Sequence, residues 1–332
     1  MTSAIRVGLI NDTRNAEHMG CWLVIKNLER LLSEAGIRIS WRWPTGKDWR
    51  TDKHLSRKGD VDLVLVNAEG SIHSSRVHKL AERFASVAGY FEQHLGVRSV
   101  LLNATMHSNE PEILEHLQKF KKIYVRDSAT LAELEKGCVP GQQVSDLTLA
   151  FEQDELRMQP SGDRIHVTDS AKSGATSELD GLRKRLNADF LPIQFARFPH
   201  SHRLAQPRLY FGKVRRWARD RIVHRPSLYR YMRTIAGSRL VIAGRYHAVT
   251  MCLLTRTPFL AYESVIPKIS WLLQDVFGDN RRVFESIDEL ESHAATGQWE
   301  WTEEECAQID SYLAACRENN RLMMQEIRTL VS

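Results

Sequence analysis

Short apolar runs that alternate with amphipathic stretches constrain the fold of this chain more than any other feature of its sequence. In the first half, the predicted strands are residues 5–10, 61–66, 97–102 and 122–125. The stretches between them carry apolar residues at the three- and four-residue spacing of a helix that packs on one face. Because strands and helices that alternate in this way form βαβ units, we predict a doubly wound parallel sheet.

The second half of the chain repeats the alternation. Its predicted strands are residues 164–167, 190–195, 240–243 and 259–262. A polar stretch at residues 152–164 separates the halves, and 332 residues is the length of two α/β domains. We therefore predict two Rossmann-like doubly wound domains in tandem, residues 1–155 and residues 163–302. Residues 303–332 are predicted to form a helix that packs back on the N-terminal domain.

Several classes of protein are disfavoured by what the sequence lacks. Its five cysteines include no Cys-x-x-Cys pair, so neither a disulfide framework nor a zinc site is indicated. No apolar stretch approaches the roughly 20 residues of a membrane helix, and the N-terminus carries no export signal. Without a Walker A or Gly-x-Gly-x-x-Gly motif, ATP and dinucleotide cofactors are disfavoured. We expect a cytoplasmic protein that needs no metal and no cofactor.

Polar side chains follow each predicted strand of the first half, at the edge where parallel sheets bind ligands. Gly70 allows a ligand to approach the backbone closely, and Glu69 and His73 are candidate acids or bases. Arg126 is a candidate anion ligand or the partner of Asp127. The same residues could instead cap the helices that follow. The candidates in this row are Asn11, His18, Asn67, Glu69, His73, Asn103 and Arg126.

The most specific group of candidate residues is the sequence Gly-Arg-Tyr-His at residues 244–247. It comes directly after a predicted strand and opens a predicted helix. A guanidinium, an imidazole and the amides of a helix N-terminus converge there, and such a point binds anions. We therefore interpret Arg245, Tyr246 and His247 as part of a site for a negatively charged ligand.

Residues 238–273 resemble the C-terminal signature of the polysaccharide pyruvyl transferase family. That signature is an apolar strand, Arg-x-His, a helix, a proline turn into another strand, and a lysine that opens the next helix. Arg245 and His247 match the Arg-x-His element, and Lys268 matches the lysine.

Two further segments are similar to the same family. Residues 124–151 resemble a family segment in which Arg126, Asp127 and Asp146 match, and residues 67–70 resemble its glycine-rich element. The chain departs from the family at residues 18–21, which read His-Met-Gly-Cys where many members carry Asn-x-Gly-Asp.

The resemblance implies a GT-B-like pair of domains with the active site in the cleft between them. It implies phosphoenolpyruvate as the donor and a pyruvate ketal as the product. The acceptor would be a sugar of an exopolysaccharide or capsule, or of its lipid-linked precursor. His247, Glu69 and His73 would be catalytic, Arg245, Tyr246, Arg126, Lys268 and Ser170 would bind the donor, and Asn11, His18, Asn67 and Asn103 would bind the acceptor.

A rival hypothesis gives the same fold a different donor. A glycosyltransferase that uses a nucleotide-activated sugar, such as a CMP-linked acidic sugar, would bind the sugar carboxylate with the same arginines. The loop at residues 168–174, which contains Ser170 and Lys172, would then bind the nucleotide phosphates through its backbone amides. The sequence leaves the choice between the two donors open.

The basic run at residues 213–225 carries six cations and one aspartate. Aromatic residues interleave with it, which suits a nucleic acid in principle, but the net charge of +5 is modest and no nucleic-acid motif accompanies the run. Basic amphipathic helices also lie on anionic membranes. For an enzyme of lipid-linked glycans, we predict peripheral contact of this run with the inner membrane face, and the alternative is a plain solvated face.

Overall fold

A computed structural model describes residues 5–52, 60–77, 79–152, 162–196, 198–199 and 207–331. The elements of the first half are β1 (Ile5–Asp12), α1 (Met19–Glu34), β2 (Ile37–Pro44), β3 (Leu63–Asn67), β4 (Ile72–His73), α2 (Leu80–Ala85), α3 (Val87–Leu95), β5 (Ser99–Ala104), β6 (Met106–His107), α4 (Pro111–Leu117), β7 (Lys122–Val125), α5 (Ser128–Lys136) and β8 (Gln142–Gln143). Six of these strands form a sheet in the order β2-β1-β3-β5-β7-β8, and every neighbouring pair is parallel.

A second parallel sheet occupies the other half of the chain. Its elements are β9 (Ile165–Ser170), α6 (Ala175–Arg185), β10 (Asp189–Phe190), α7 (Pro207–Arg219), α8 (Leu228–Ala236), β11 (Leu240–Gly244), α9 (Tyr246–Thr255), β12 (Phe259–Tyr262), α10 (Lys268–Phe277), β13 (Val283–Phe284), α11 (Ile287–Thr296) and α12 (Glu303–Thr329). Its five strands lie in the order β10-β9-β11-β12-β13. Two doubly wound parallel sheets in tandem confirm the predicted fold class.

Each sheet has a point at which the strand order reverses, between β1 and β3 in the first sheet and between β9 and β11 in the second. Connections on either side of such a point run to opposite faces of the sheet and leave a crevice at the carboxyl ends of the strands. The two halves of the chain share an apolar core. In it, Met19 and Leu23 of α1 are buried with Tyr246 and Val249 of α9.

The strand β2 was missed by the sequence prediction. Charged and polar residues at positions 38, 40 and 42 interrupt its apolar residues, so it contains no continuous apolar run. Among the described strands it lies at the edge of the sheet, pairs with β1 and is half-buried, and this position accommodates the alternation of polar and apolar residues. Trp41 lies in this strand and stacks on Phe91, with 5.9 Å between the ring centres.

The long C-terminal helix α12 contacts the first half of the chain. Asn320 donates a hydrogen bond to the Ser145 carbonyl at 3.1 Å, and Glu326 pairs with Lys122 at 2.7 Å. The predicted junction between the domains lies largely outside the described residues, so the domain limits stay a prediction. No helix in the described parts of the chain is both long and apolar enough to span a membrane.

Candidate active site

A pocket of about 250 Å³ opens between the two halves, at the reversal points of both sheets. It is lined by polar and charged groups from the ends of β1, β3, β7 and β11 and from the starts of α1, α9 and α10. The predicted site residues that line it are Asn11, His18, Glu69, Arg126, Arg245, Tyr246, His247 and Lys268. The sequence prediction missed Thr13, Cys21, Ser71 and Ser264, which also line it.

Glu69 is held in one orientation by three donors. Its Oε1 accepts hydrogen bonds from Thr13 Oγ1 at 2.8 Å and Asn67 Nδ2 at 3.0 Å, and its Oε2 accepts one from Cys21 Sγ at 3.3 Å. The backbone of Glu69 has a positive φ of 48°, which turns the chain sharply at the end of β3. The carboxylate is therefore fixed at the pocket wall on the side of the first sheet.

Arg126 is almost fully buried, with 1% of its surface exposed. Its Nε donates to Thr105 Oγ1 at 2.5 Å and its Nη1 pairs with Asp146 Oδ2 at 2.8 Å, so the pairing with Asp127 considered from the sequence is wrong. The guanidinium lies 4.3 Å from the centre of the Tyr246 ring. Its Nη2 faces the space beside Gly70, 3.6 Å from the point that a Cβ on this glycine would occupy.

Lys268 approaches the same space from the second half. Its Nζ lies 3.7 Å from the hypothetical Cβ of Gly70 and 5.9 Å from the centre of the Tyr246 ring. It has no ion pair with any described residue within 4 Å. Burial, with the nearby charges of Arg126 and Arg245, lowers the pKa of Lys268 to about 8. Because position 70 has no side chain, both cations face open space that an anion can fill.

Arg245 is the N-cap residue of α9 and is held by an acidic partner. Its guanidinium pairs with Asp169 Oδ2 at 2.8 Å and donates to Gln194 Oε1 at 2.6 Å. The other carboxylate oxygen of Asp169 accepts from the backbone amides of Ile193 and Gln194, at 2.7 and 3.3 Å. Asp169 therefore positions both Arg245 and the backbone segment beside it, a role that the sequence did not reveal.

His247 lies opposite a buried carboxylate. Its Nε2 is 3.8 Å from Asp146 Oδ2, and Asp146 also accepts from the amide and hydroxyl of Thr148. Burial alone would raise the pKa of Asp146, but the His247 imidazole and the Arg126 guanidinium outweigh it and hold that pKa well below its usual range. An ionised carboxylate therefore faces the His247 imidazole across 3.8 Å.

His18 is a second imidazole in the pocket, with its ring centre 5.5 Å from that of His247. Its Nδ1 caps α1 by accepting hydrogen bonds from the amides of Gly20 and Cys21, at 3.1 and 3.3 Å. Burial lowers the pKa of His18 well below its usual value, and the charges of His247, Arg245 and Lys268 add to this effect. His18 is therefore neutral, with its proton on Nε2.

His18, Cys21 and His247 offer one donor atom each, and these three atoms lie within 4.8 Å of one another. This is the group among the described residues that could hold a metal ion. A metal needs a thiolate, whereas burial and then the neighbouring Glu69 raise the pKa of Cys21 well above its usual value. The expectation of a metal-free site stays a prediction.

Four predicted residues lie outside the pocket lining. Asn67 orients Glu69, and Asn103 accepts a hydrogen bond from the Leu147 amide at 3.1 Å, so both hold backbone turns at strand ends. Ser170 accepts from the Lys172 amide at 3.1 Å, in a loop whose next residue, Ala171, reaches the pocket. His73 lies in the short strand β4, which pairs with β6.

Comparisons with known proteins identify a family and a fold. Residues 22–264 match the model of the family described as polysaccharide pyruvyl transferase. The fold is similar to that of spinosyn forosaminyltransferase, with 13% identity over 99% of this chain and 100% of that one and a TM-score of 0.51. An uncharacterised protein from Klebsiella pneumoniae matches with 8% identity over 85% of this chain and 94% of that one and a TM-score of 0.50. A search of curated protein sequences found no match.

Proposed function

This chain belongs to the polysaccharide pyruvyl transferase family and is a transferase, and from that premise we propose that it transfers pyruvate from phosphoenolpyruvate to a sugar. The acceptor would belong to a surface polysaccharide or its lipid-linked precursor, and the product would be a ketal. The observation that carries this proposal is the convergence of Arg126, Arg245 and Lys268 with His247 on one pocket between two parallel sheets.

The donor has two anionic groups, a carboxylate and a phosphate, and the pocket offers two places for them. The first is the space beside Gly70, faced by Arg126 Nη2 and Lys268 Nζ. The second is the start of α9, where Arg245 and the first amides of the helix lie. Guanidinium groups suit both anions because they match two oxygens at once.

The chemistry needs one proton donor and two attacking hydroxyls. A protonated His247 would donate its proton to the methylene carbon of the donor, which becomes a methyl group. An acceptor hydroxyl then bonds to the central carbon and loses its proton, and the phosphate leaves with its bridging oxygen. A second hydroxyl bonds to the same carbon and gives its proton to the departing phosphate, which closes the ketal. Asp146 stabilises the imidazolium before transfer, and the cations stabilise the leaving phosphate. Glu69 lies across the pocket and would accept a hydroxyl proton.

The glycosyltransferase hypothesis keeps one supporting observation. The loop that contains Ser170 and Lys172 reaches the pocket through Ala171, where its backbone could approach a nucleotide phosphate. Under this hypothesis Arg245 would bind the carboxylate of an acidic sugar.

A donor screen by thermal shift tests the proposal. Phosphoenolpyruvate, CMP, UDP and GDP are added separately to the wild type, to Arg245→Ala and to Arg183→Ala. Arg183 is the matched control, because it also pairs with an aspartate and is similarly buried but lies on α6 outside the pocket. We expect phosphoenolpyruvate to raise the melting temperature of the wild type and the control but not of Arg245→Ala. A response to one nucleotide alone would make the chain a glycosyltransferase.

The family implies a glycan acceptor, and we propose that a lipid-linked form of it is met at the membrane. The proposal places the protein in the cytoplasm with peripheral contact between residues 213–225 and the inner membrane face. No metal and no cofactor take part in the scheme.

A further inference from the structure

The helix α7 is unusually exposed for its length. None of its residues, from Pro207 to Arg219, is buried, although it is thirteen residues and about 20 Å long. The chain continues through one π-helical turn at Asp220–His224 before α8 begins. We call residues 207–222 the basic arm. A helix of this length without a buried residue needs another surface to pack on, because isolated short helices are marginal in water.

The charge of the basic arm has one sign along the whole of α7. Residues 207–219 contain five cations and no acid. In the part of the chain that the structure describes, Arg208, Lys213, Arg215 and Arg216 are exposed and have no ion pair. Such a row of unpaired cations attracts a densely anionic surface and would repel another basic one.

Apolar side chains protrude beside these cations. Leu209, Phe211 and Ile222 have 60%, 67% and 68% of their surface exposed. Trp217 is partly covered by Phe198, which packs edge-on against it at 5.1 Å and is itself half exposed. Exposed aliphatic and aromatic groups interleaved with cations match the boundary between lipid headgroups and acyl chains. Aliphatic side chains such as Leu209 and Ile222 cannot stack on bases as aromatic rings do, whereas they insert readily among acyl chains.

The C-terminal end of the basic arm is held against the wall of the pocket by two polar contacts. Asp220 is 3% exposed and accepts a hydrogen bond from the Ala196 amide at 2.8 Å, while Arg221 forms an ion pair with Glu17. The carbonyl of Glu17 accepts from the Phe195 amide at 2.8 Å, and the next residue, His18, lines the pocket. A surface bound by the basic arm therefore lies beside the wall of the cleft that contains His18.

We propose that the basic arm binds the headgroups of an anionic lipid bilayer and so holds the pocket beside a membrane-borne substrate. The binding surface stands on the exposure and charge of residues 207–222 alone. The consequence that the acceptor sugar is linked to a lipid rests on the proposed function.

Vesicle co-sedimentation tests the surface directly. The full chain is mixed with vesicles of phosphatidylcholine alone or of phosphatidylcholine with about one-third phosphatidylglycerol. Each juxtamembrane cation contributes on the order of fivefold to binding, so reversing two of them in Arg215→Glu/Arg216→Glu should reduce sedimentation with anionic vesicles at least tenfold. Phe211→Ser should reduce it less. The matched control is Lys119→Glu/Lys121→Glu, which makes the same charge change at exposed residues of the first half.

The outcomes test the membrane surface and the proposed donor separately. We expect the wild type and the control to sediment with anionic vesicles only, and less at high salt because the attraction is screened. Failure to sediment, equal loss in the control, or binding of single-stranded RNA in place of vesicles would overturn the membrane surface. The stabilisation by phosphoenolpyruvate is measured on the same variants. If the wild type binds vesicles but shows no such stabilisation, the proposed donor is wrong while the membrane surface stands.

Discussion

The rings of His18 and His247 meet edge to face in the pocket, but their surroundings give them different chemistry. Nδ1 of His18 is occupied by two amides, so only its Nε2–H is available to a ligand. Asn and Asp both cap helices well, but only Asn keeps an N–H donor. We expect His18→Asn to keep kcat/KM within about tenfold, and His18→Asp to lose a further ten- to hundredfold, the value of a hydrogen bond to a charged group.

This pair of variants also has a structural control. Melting temperatures of the two should agree within a few degrees, because both side chains cap α1. If they are also equally active, His18 serves only as a helix cap. A loss of the acidic limb of the pH profile in His18→Asn would instead make His18 a titrating base.

Lys268 should give donor binding a pH dependence. Its pKa of about 8 means that the amine is charged below that pH and neutral above it. The affinity for phosphoenolpyruvate should therefore fall as the pH rises through about 8. In Lys268→Arg the charge persists to much higher pH, so the decline should disappear even if the affinity at neutral pH is lower. Isothermal titration between about pH 6.5 and 9.5 measures both. If the affinity declined identically in the wild type and in Lys268→Arg, the decline would arise from another titrating group.

The sequence predicted pocket residues that directly follow a strand, such as Glu69 after β3 and Arg245, which also opens a helix. It could not predict Asp169, Asp146 or Cys21 as partners of site residues, because their roles depend on contacts between distant segments of the chain. The buried pair of Arg126 and Asp146 joins the end of β7 to a loop twenty residues later. The family resemblance marks Asp146, but no local pattern shows that it is buried against Arg126.

At the scale of elements, the first turn of α1 packs directly on the start of α9. A Cβ on Gly20 would lie 2.3 Å from Cβ and Cγ of His247, so Gly20→Ala forces the two helices apart. We expect a loss of about 1–3 kcal/mol of unfolding free energy, with a displaced His247 and low activity. Gly212→Ala is the control, since nothing lies within 4 Å of its Cβ and alanine favours a helix. Urea unfolding compares the two, and equal stabilities would contradict the close packing.

The start of α12 is fixed by a buried ion pair and a capping box. Glu305 binds Arg282 at 3.0 Å and also accepts from the Thr302 amide, while Thr302 caps the Glu305 amide. Glu305→Ala leaves a buried guanidinium without its partner, which costs about 3–5 kcal/mol. Thr302→Ala removes only the cap and should cost about 1 kcal/mol. Denaturant melts should give this order, and a reversed order would mean that the cap dominates.

The elements that the sequence predicted correctly have a continuous apolar run or a full helical stripe, as β3 and α5 do. Elements whose residues are only half-buried have weaker sequence patterns, and their bounds were predicted less accurately. The amphipathic stretch between the predicted strands at residues 61–66 and 97–102 forms two helices, α2 and α3, with Ser86 between them. The strand predicted over residues 190–195 pairs only at Asp189–Phe190, and Gln194 beyond it bridges to His18 of the other half.

At the scale of the whole molecule, the tandem fold followed from the alternation of strands and helices, but the shape of the cleft did not. The cleft exists because α1, from the first half, shares an apolar core with α8 and α9 of the second. That core holds the reversal points of the two sheets face to face. The helices α1 and α9 are more than two hundred residues apart in the sequence. A local pattern therefore does not show which of their faces pack together.

A donor that contacts Arg126 of the first half and both Lys268 and Arg245 of the second must bridge the two halves. Phosphoenolpyruvate should therefore slow amide exchange in both walls of the pocket, around residues 13–21 and around residues 193–196, because opening either wall would break contacts with the ligand. Arg245→Ala should abolish the protection of both walls together, although residues 13–21 belong to the other half. Hydrogen exchange with mass spectrometry measures each segment separately. Protection confined to the second half would mean that the donor binds one sheet alone and that the cleft does not act as a unit.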